Sequence, residues 1–230
     1  MAATKKPVEA FEYAKTFVKN MTLEDTNPEI LDEIGKMVWM AAPWRWTLGV
    51  LPAATLVSNT PDYTIITPDD FLYILDGYVS DGNNVFRNLI FEPILPADVK
   101  VTGDTSRVAY VGSNTFRLFP RPGTLPASPG RQMILRYKKT SPILTNENQY
   151  TPGALVMDDE WFWVFSAGVL WKAYLWADDP RAGTATLADG KVQYTGQLAV
   201  FRDGIRQMAE REKLPVLELH DTVNQKVVIK

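Results

Sequence analysis

The 230-residue chain contains no cysteine. That removes disulfides, thiolate nucleophiles, zinc–thiolate sites and iron–sulfur clusters at once. It contains one histidine, His220, so the common nucleophile–base arrangements would have to run through that imidazole. His220 falls in a terminal stretch that reads as extended, a poor mount for a catalytic base. Gly-x-Ser-x-Gly is absent, and Gly103, Gly112, Gly123 and Gly130 stand as isolated turn glycines, not as a phosphate-binding loop. The adjacent acids Asp69-Asp70, Asp158-Asp159-Glu160 and Asp178-Asp179 lack the alternating spacing of a calcium loop. A carboxylate enzyme would need such acids to meet in a cleft with perturbed pKa values. The net charge of −3 offers no global basic field for nucleic acid. Residues 1–7 hold two lysines with no apolar run behind them, so no secretory signal is expected. These absences point away from an enzyme, a cofactor or a metal, and toward an assembly or binding protein.

What is present is an over-apolar stretch at residues 161–177, with Ser166 and Lys172 its clear polar interruptions. A helix apolar all round is a buried helix. Asp158-Asp159-Glu160 suits the positive end of its dipole, and Asp178-Asp179-Pro180 stops it. The run is shorter than the roughly 20 residues of a membrane span and is acidic at both ends. It is expected to be a central core helix and not a membrane segment. A further reading turns some of its tryptophans toward a neighbouring subunit.

Residues 8–21 carry Phe11, Ala14, Val18 and Met21 at helical spacing. Thr26-Asn27-Pro28-Glu29 then starts a second helix, with Ile30, Ile34, Met37, Val38 and Ala41 on one face and an end near Pro43. Trp44 and Trp46 follow. Paired tryptophans are core or interface anchors, or a sugar-stacking platform. From residue 47 to 137 the helical period vanishes, and short β-rich runs alternate with turns at 47–51, 55–57, 63–67, 71–79, 85–91, 107–111, 115–119 and 133–138. Asp81-Gly82-Asn83-Asn84 predicts a hairpin, and Gly112-Ser113-Asn114 a second. Arg117, Arg121, Arg131, Arg136, Lys138 and Lys139 lie in this stretch beside aromatics, either a single-strand-binding face or a solvated strand face. Residues 185–214 step through Tyr194, Leu198, Phe201, Ile205 and Met208 and read as a last helix. Beyond it, Leu217, Leu219, Val227, Val228 and Ile229 lie in an apolar extended tail that must pair with something.

The two helical parts each need a partner for an apolar face. The expected fold is therefore α+β. Residues 1–46 and 141–214 form one helical bundle from both chain ends, residues 47–140 are an inserted antiparallel β-sandwich or barrel, and residues 215–230 are a tail. Trp44, Trp46, Leu217, Leu219, Val227, Val228 and Ile229 are the expected interface residues.

Thr115-Phe-Arg-Leu-Phe-Pro-Arg-Pro122, the strand 133–137, Ser141-Pro-Ile-Leu-Thr145 and Thr151-Pro-Gly are followed by the aromatic helix and the helix with Tyr194 and Leu198. In this order the chain resembles, over residues 30–214, the head–tail adaptor (connector) family of tailed bacteriophages, the group that includes podovirus tail tubular protein A. The resemblance implies a structural protein in the virion neck, made in the host cytoplasm. It implies a homo-oligomeric ring, commonly of about twelve copies, docked under a portal protein. Such a ring extends the DNA channel and presents a platform to tail nozzle or tube proteins, with DNA passing without sequence-specific binding. A nozzle or tube subunit and a carbohydrate-binding β-sandwich remain the alternatives.

Overall fold

The computed structural model describes residues 3–18, 27–81, 84–96, 99–125, 130–188 and 191–214. The fold is mixed α+β. The chain divides into two compact units: Met1–Trp46 with Ser141–Lys230, and Thr47–Thr140.

The second unit is built from β1 (Leu48–Val50), β2 (Ala54–Thr55), β3 (Asp62–Thr64), β4 (Phe71–Ser80), β5 (Val85–Phe91), β6 (Thr102–Gly103), β7 (Arg107–Gly112), β8 (Thr115–Phe119), β9 (Arg121–Pro122) and β10 (Gln132–Lys139). Eight of these make one curled half-barrel in the order β1-β10-β4-β5-β7-β8-β3, with β2 also on β10; β6 and β9 pair separately. The two expected hairpins are present as β4–β5 and β7–β8. The expected antiparallel sandwich or barrel is corrected: the eight-stranded sheet is a curled half-barrel, and β5 runs parallel to β7. Parallel pairing needs a crossover, here residues 92–106, and no local pattern announces one. Alternation places Met133, Leu135, Phe116 and Leu118 inside. The same alternation buries Tyr137, and Lys138 is buried as well, on the opposite face of the strand, where it meets the buried Thr47. The register shift at Arg136–Tyr137 leaves the extra residue, Leu75, on β4.

The first unit contains α1 (Pro7–Lys15), α2 (Asn27–Ala41), α3 (Phe162–Trp176) and α4 (Gly196–Glu212), with β11 (Ala185–Ala188) and β12 (Lys191–Tyr194) between the last two. α1 opens on Pro7, and Glu9 reaches back to the Lys6 N–H at 3.3 Å. It is shorter than the periodicity of residues 8–21 suggests: it ends at Lys15, where the Thr16 hydroxyl donates to the Tyr13 carbonyl, and Met21 lies outside the described residues. The expected helix over residues 185–214 is also corrected: β11 and β12 pair antiparallel, and α4 starts at Gly196. α3 is the element around which one buried cluster gathers, with Phe11 of α1, Ile34 of α2 and Phe201 of α4 against it. Each such side chain contributes about 1.5–3 kcal/mol by burial. Gly168 makes the approach possible. A Cβ there would lie 2.7 Å from Ile34 Cγ2 and 2.8 Å from Phe201 Cε2. Lys172, the polar interruption, pairs with Glu33 of α2 at 2.5 Å. Arg211 reaches Glu160 at 3.0 Å and covers the Trp161 ring, so α4 ends beside the start of α3. Among the described residues no helix is long and apolar enough to cross a membrane.

Residues 3–6 are strapped across the entry to α3. The Thr4 and Lys5 N–H groups donate to Asp159 Oδ1 at 2.8 and 3.1 Å, the Thr4 hydroxyl donates to Oδ2, and Gly153 N–H donates to the Lys5 carbonyl. The Thr4 hydrogen bonds, with Lys5 behind them, pull the Asp159 carboxyl below its ordinary 3.8. A depressed folded pKa adds stability above the unfolded value, and that stability is lost as pH falls through the folded one. Asp159→Asn should therefore lower the melting temperature at pH 7 and flatten its decline in acid. Identical acid limbs for the two proteins would show that the strap adds nothing.

Candidate interaction surfaces

The structure places Trp44 in the core, 0 % exposed, with its indole N–H donating to the Val38 carbonyl at 2.5 Å. Trp46 stacks on it at 5.4 Å and is partly buried. Their shared face is internal, so the pair offers no open sugar platform. Leu217, Leu219, Val227, Val228, Ile229 and His220 lie outside the described residues.

The helical unit exposes several large apolar side chains, Met40, Ile143, Tyr150, Val156 and Val192 among them, and two sets of them lie at the two ends of α3. At its C-terminal end Leu175 and Trp176 turn outward, Trp176 being 52 % exposed. Arg181 ties this end to α1. Its guanidinium lies over the Tyr174 ring at 4.5 Å, is forked by Asp179, and donates to the Phe17 carbonyl at 3.4 Å. That fork, with Arg181 as its largest cause, holds the Asp179 carboxyl below its usual range. Tyr13 and Phe17 meet edge to face at 5.1 Å, and both are exposed. Beside them an open cleft is lined by Leu175, Asp178, Pro180, Ala182 and Gly183. At the other end of α3, Trp163 is 42 % exposed and lies across Gly204 of α4, one turn beyond the exposed Val200. Trp163 and Trp176 are thirteen residues apart, about 20 Å along a helix at about 1.5 Å per residue. Solvent-exposed tryptophans of this kind are the usual anchors of protein interfaces.

A sequence reading that treats the helix as apolar all round has no means of singling out these positions. The signal is geometric: nine α3 residues from Val164 to Tyr174 are buried, and the aromatics at its ends are what the neighbouring helices leave uncovered.

Four cations of the basic stretch, Arg117, Arg136, Lys138 and Lys139, are internally engaged, while Arg131 stands 3.9 Å from Asp104 and the buried Arg121 and Arg131 Nε atoms meet no acceptor among the described residues. Arg117 forks Asp62 at 2.7 and 2.8 Å, Arg136 forks Asp76, Lys139 lies 4.0 Å from Asp70, and Lys138 donates to the Thr47 hydroxyl at 2.6 Å from inside the unit. The Asp62 and Asp76 hydrogen bonds raise the two guanidinium pKa values further. Arg117 and Arg136, already forked by carboxylates, would release few counterions from a nucleic acid, which weighs against a single-strand platform here. The adjacent acids have local tasks as well. Asp159 holds the strap, Asp179 forks Arg181, and Asp70 accepts from the Tyr137 hydroxyl at 2.8 Å. Among the described residues no three acidic or histidine side chains gather as a metal site.

Residues 22–217 match the family model described as SU10 adaptor protein. No curated protein matches the chain.

Proposed function

The chain belongs to the SU10 adaptor protein family and is therefore a structural phage adaptor of the virion, and from that premise we propose that it is a head-to-tail connector subunit. Copies associate into a ring beneath the portal protein. The ring extends the DNA channel and docks tail nozzle or tube proteins. In this reading both chain ends build one helical bundle that forms the ring wall, as in podovirus tail tubular protein A. The C-terminal segment, with Leu217, Leu219, Val227, Val228 and Ile229, makes contacts with other subunits.

The observation that carries the proposal is the pair of unlike apolar patches at opposite ends of α3. A ring closes through heterologous contacts, in which one patch of each copy meets a different patch of the next. Leu175 and Trp176, with Tyr13 and Phe17 of α1 joined to that end of α3 through Arg181, supply one such patch, and Trp163 with Val200 the other. An isologous dimer would need only one. Native mass spectrometry with negative-stain imaging, alone and with portal rings, tests this. Trp176→Asp and Trp163→Asp should each abolish rings while leaving a folded monomer, because both side chains are already half in water. Mixing the two variants should give dimers joined at the remaining intact pair of patches and stop there. Rings that survive both substitutions would overturn the assignment.

A further inference from the structure

We infer that the β unit carries a carboxylate-binding pocket, centred on Arg87, that receives an acidic side chain from a partner protein. The cleft, of about 180 Å³, opens where residues at the ends of three strands converge. Arg87 comes from β5, Asp104 directly follows β6, and Arg131 directly precedes β10. The floor is apolar, formed by Leu56, Val79 and Leu125.

The geometry at Asp104 differs from that of the other arginine–aspartate pairs in the unit. Arg117 and Arg136 each own one carboxylate in a two-bonded fork, with contacts down to 2.7 and 2.6 Å. Asp104 is divided between two guanidiniums. Arg87 reaches its carboxylate at 3.3 Å and its carbonyl at 3.5 Å, and Arg131, which has a further contact of its own, stands at 3.9 Å. Charge-assisted bonds of full strength run at about 2.7–2.9 Å. The Asp104 side chain is itself 68 % exposed. It is a loosely held occupant, and it shows which chemistry these guanidiniums accept.

An incoming carboxylate completes the fork on Arg87 while its aliphatic stem covers Leu56, Val79 and Leu125. That combination of an apolar floor and a cationic rim describes a glutamate or aspartate side chain. A DNA backbone meets exposed cations along an open stripe and has no use for the floor. The inference is independent of ring formation, since it concerns a different unit and any acidic partner.

The test uses the full chain labelled with nitrogen-15, observed through its arginine Nε–Hε signals. Three probes are titrated: N-acetyl-glutamate amide, orthophosphate and a twelve-base-pair duplex. The glutamate probe should move the Arg87 and Arg131 signals saturably. Arg87→Gln should weaken that binding about tenfold or more, as expected for loss of a hydrogen bond to a charged group. Asp104→Asn should tighten it, because the resident competitor loses its charge; a merely structural Asp104 would give the opposite sign. Unsaturable shifts, shifts that persist in Arg87→Gln, or tighter binding of orthophosphate or duplex than of the glutamate probe would each overturn the pocket.

Discussion

Trp171→Ala is expected to cost the helical unit about 3–5 kcal/mol of unfolding free energy, the range of large aromatic truncations in a core. Trp171 is 2 % exposed and stacks on Phe201 of α4 at 5.9 Å, so truncation opens a void between α3 and α4 that the backbone at Gly168 cannot close. The indole carries one liability. Among the described residues its Nε1 hydrogen meets no acceptor, although it is buried. An unmade buried hydrogen bond costs about 1–3 kcal/mol. Trp171→Phe removes that donor while keeping a ring against Phe201, so its loss should be well under half that of the alanine variant. Urea denaturation of the three proteins decides the point. A Phe variant as unstable as the Ala variant would mean that the indole N–H is satisfied after all. An Ala variant within about 1 kcal/mol of wild type would put Trp171 at a surface.

The ordering of these two substitutions is invisible in the sequence, and the reason is general to this chain. Patterns that live within a few residues were legible. The hairpins at Asp81–Asn84 and Gly112–Asn114, the helix start before Pro28 and the stop at Pro180 all rest on local backbone chemistry. The pairing of β11 with β12 also has a local signal, the turn dipeptide Asp189-Gly190 between two short β-rich runs, but it competes with a helical spacing. The apolar steps from Leu198 to Met208 extend back to Tyr194 by coincidence of spacing. What the sequence did not carry was pairing at a distance. The parallel contact of β5 with β7 depends on a crossover, and the curl of one sheet in place of two packed sheets depends on where every strand lies. The candidate surfaces share that character. Trp163 and Trp176 look no different in sequence from Trp161 and Trp171, and only the packing of α1, α2 and α4 separates the exposed pair from the buried one.

Lys138 shows the same limit and sets up the second large effect. By alternation it shares a face with Gln132 and Arg136, which the sequence marks as solvated, yet it is 1 % exposed and donates to the buried Thr47 hydroxyl. Burial pushes its ammonium down from 10.5 to about 8. Below about pH 8 the amine is charged in both folded and unfolded chains, and the folded one bears the full desolvation cost. Between about 8 and 10.5 the unfolded chain binds more protons, so stability rises with pH. At about 1.4 kcal/mol per pH unit the whole rise is worth about 3 kcal/mol. Its neighbour acts in the opposite sense. Burial, and then the bond to Asp70, raise the Tyr137 hydroxyl from 10 to about 12, so stability falls as pH climbs from about 10 to about 12. The β unit should therefore be most stable near pH 10, a shape that neither residue gives alone. In Lys138→Met the rise below pH 10 should vanish and the fall above it remain. The stability difference between variant and wild type should then drift by about 3 kcal/mol between pH 7 and 10 in favour of wild type. Parallel curves over that window would mean that the Lys138 amine titrates as it does in water and is not buried.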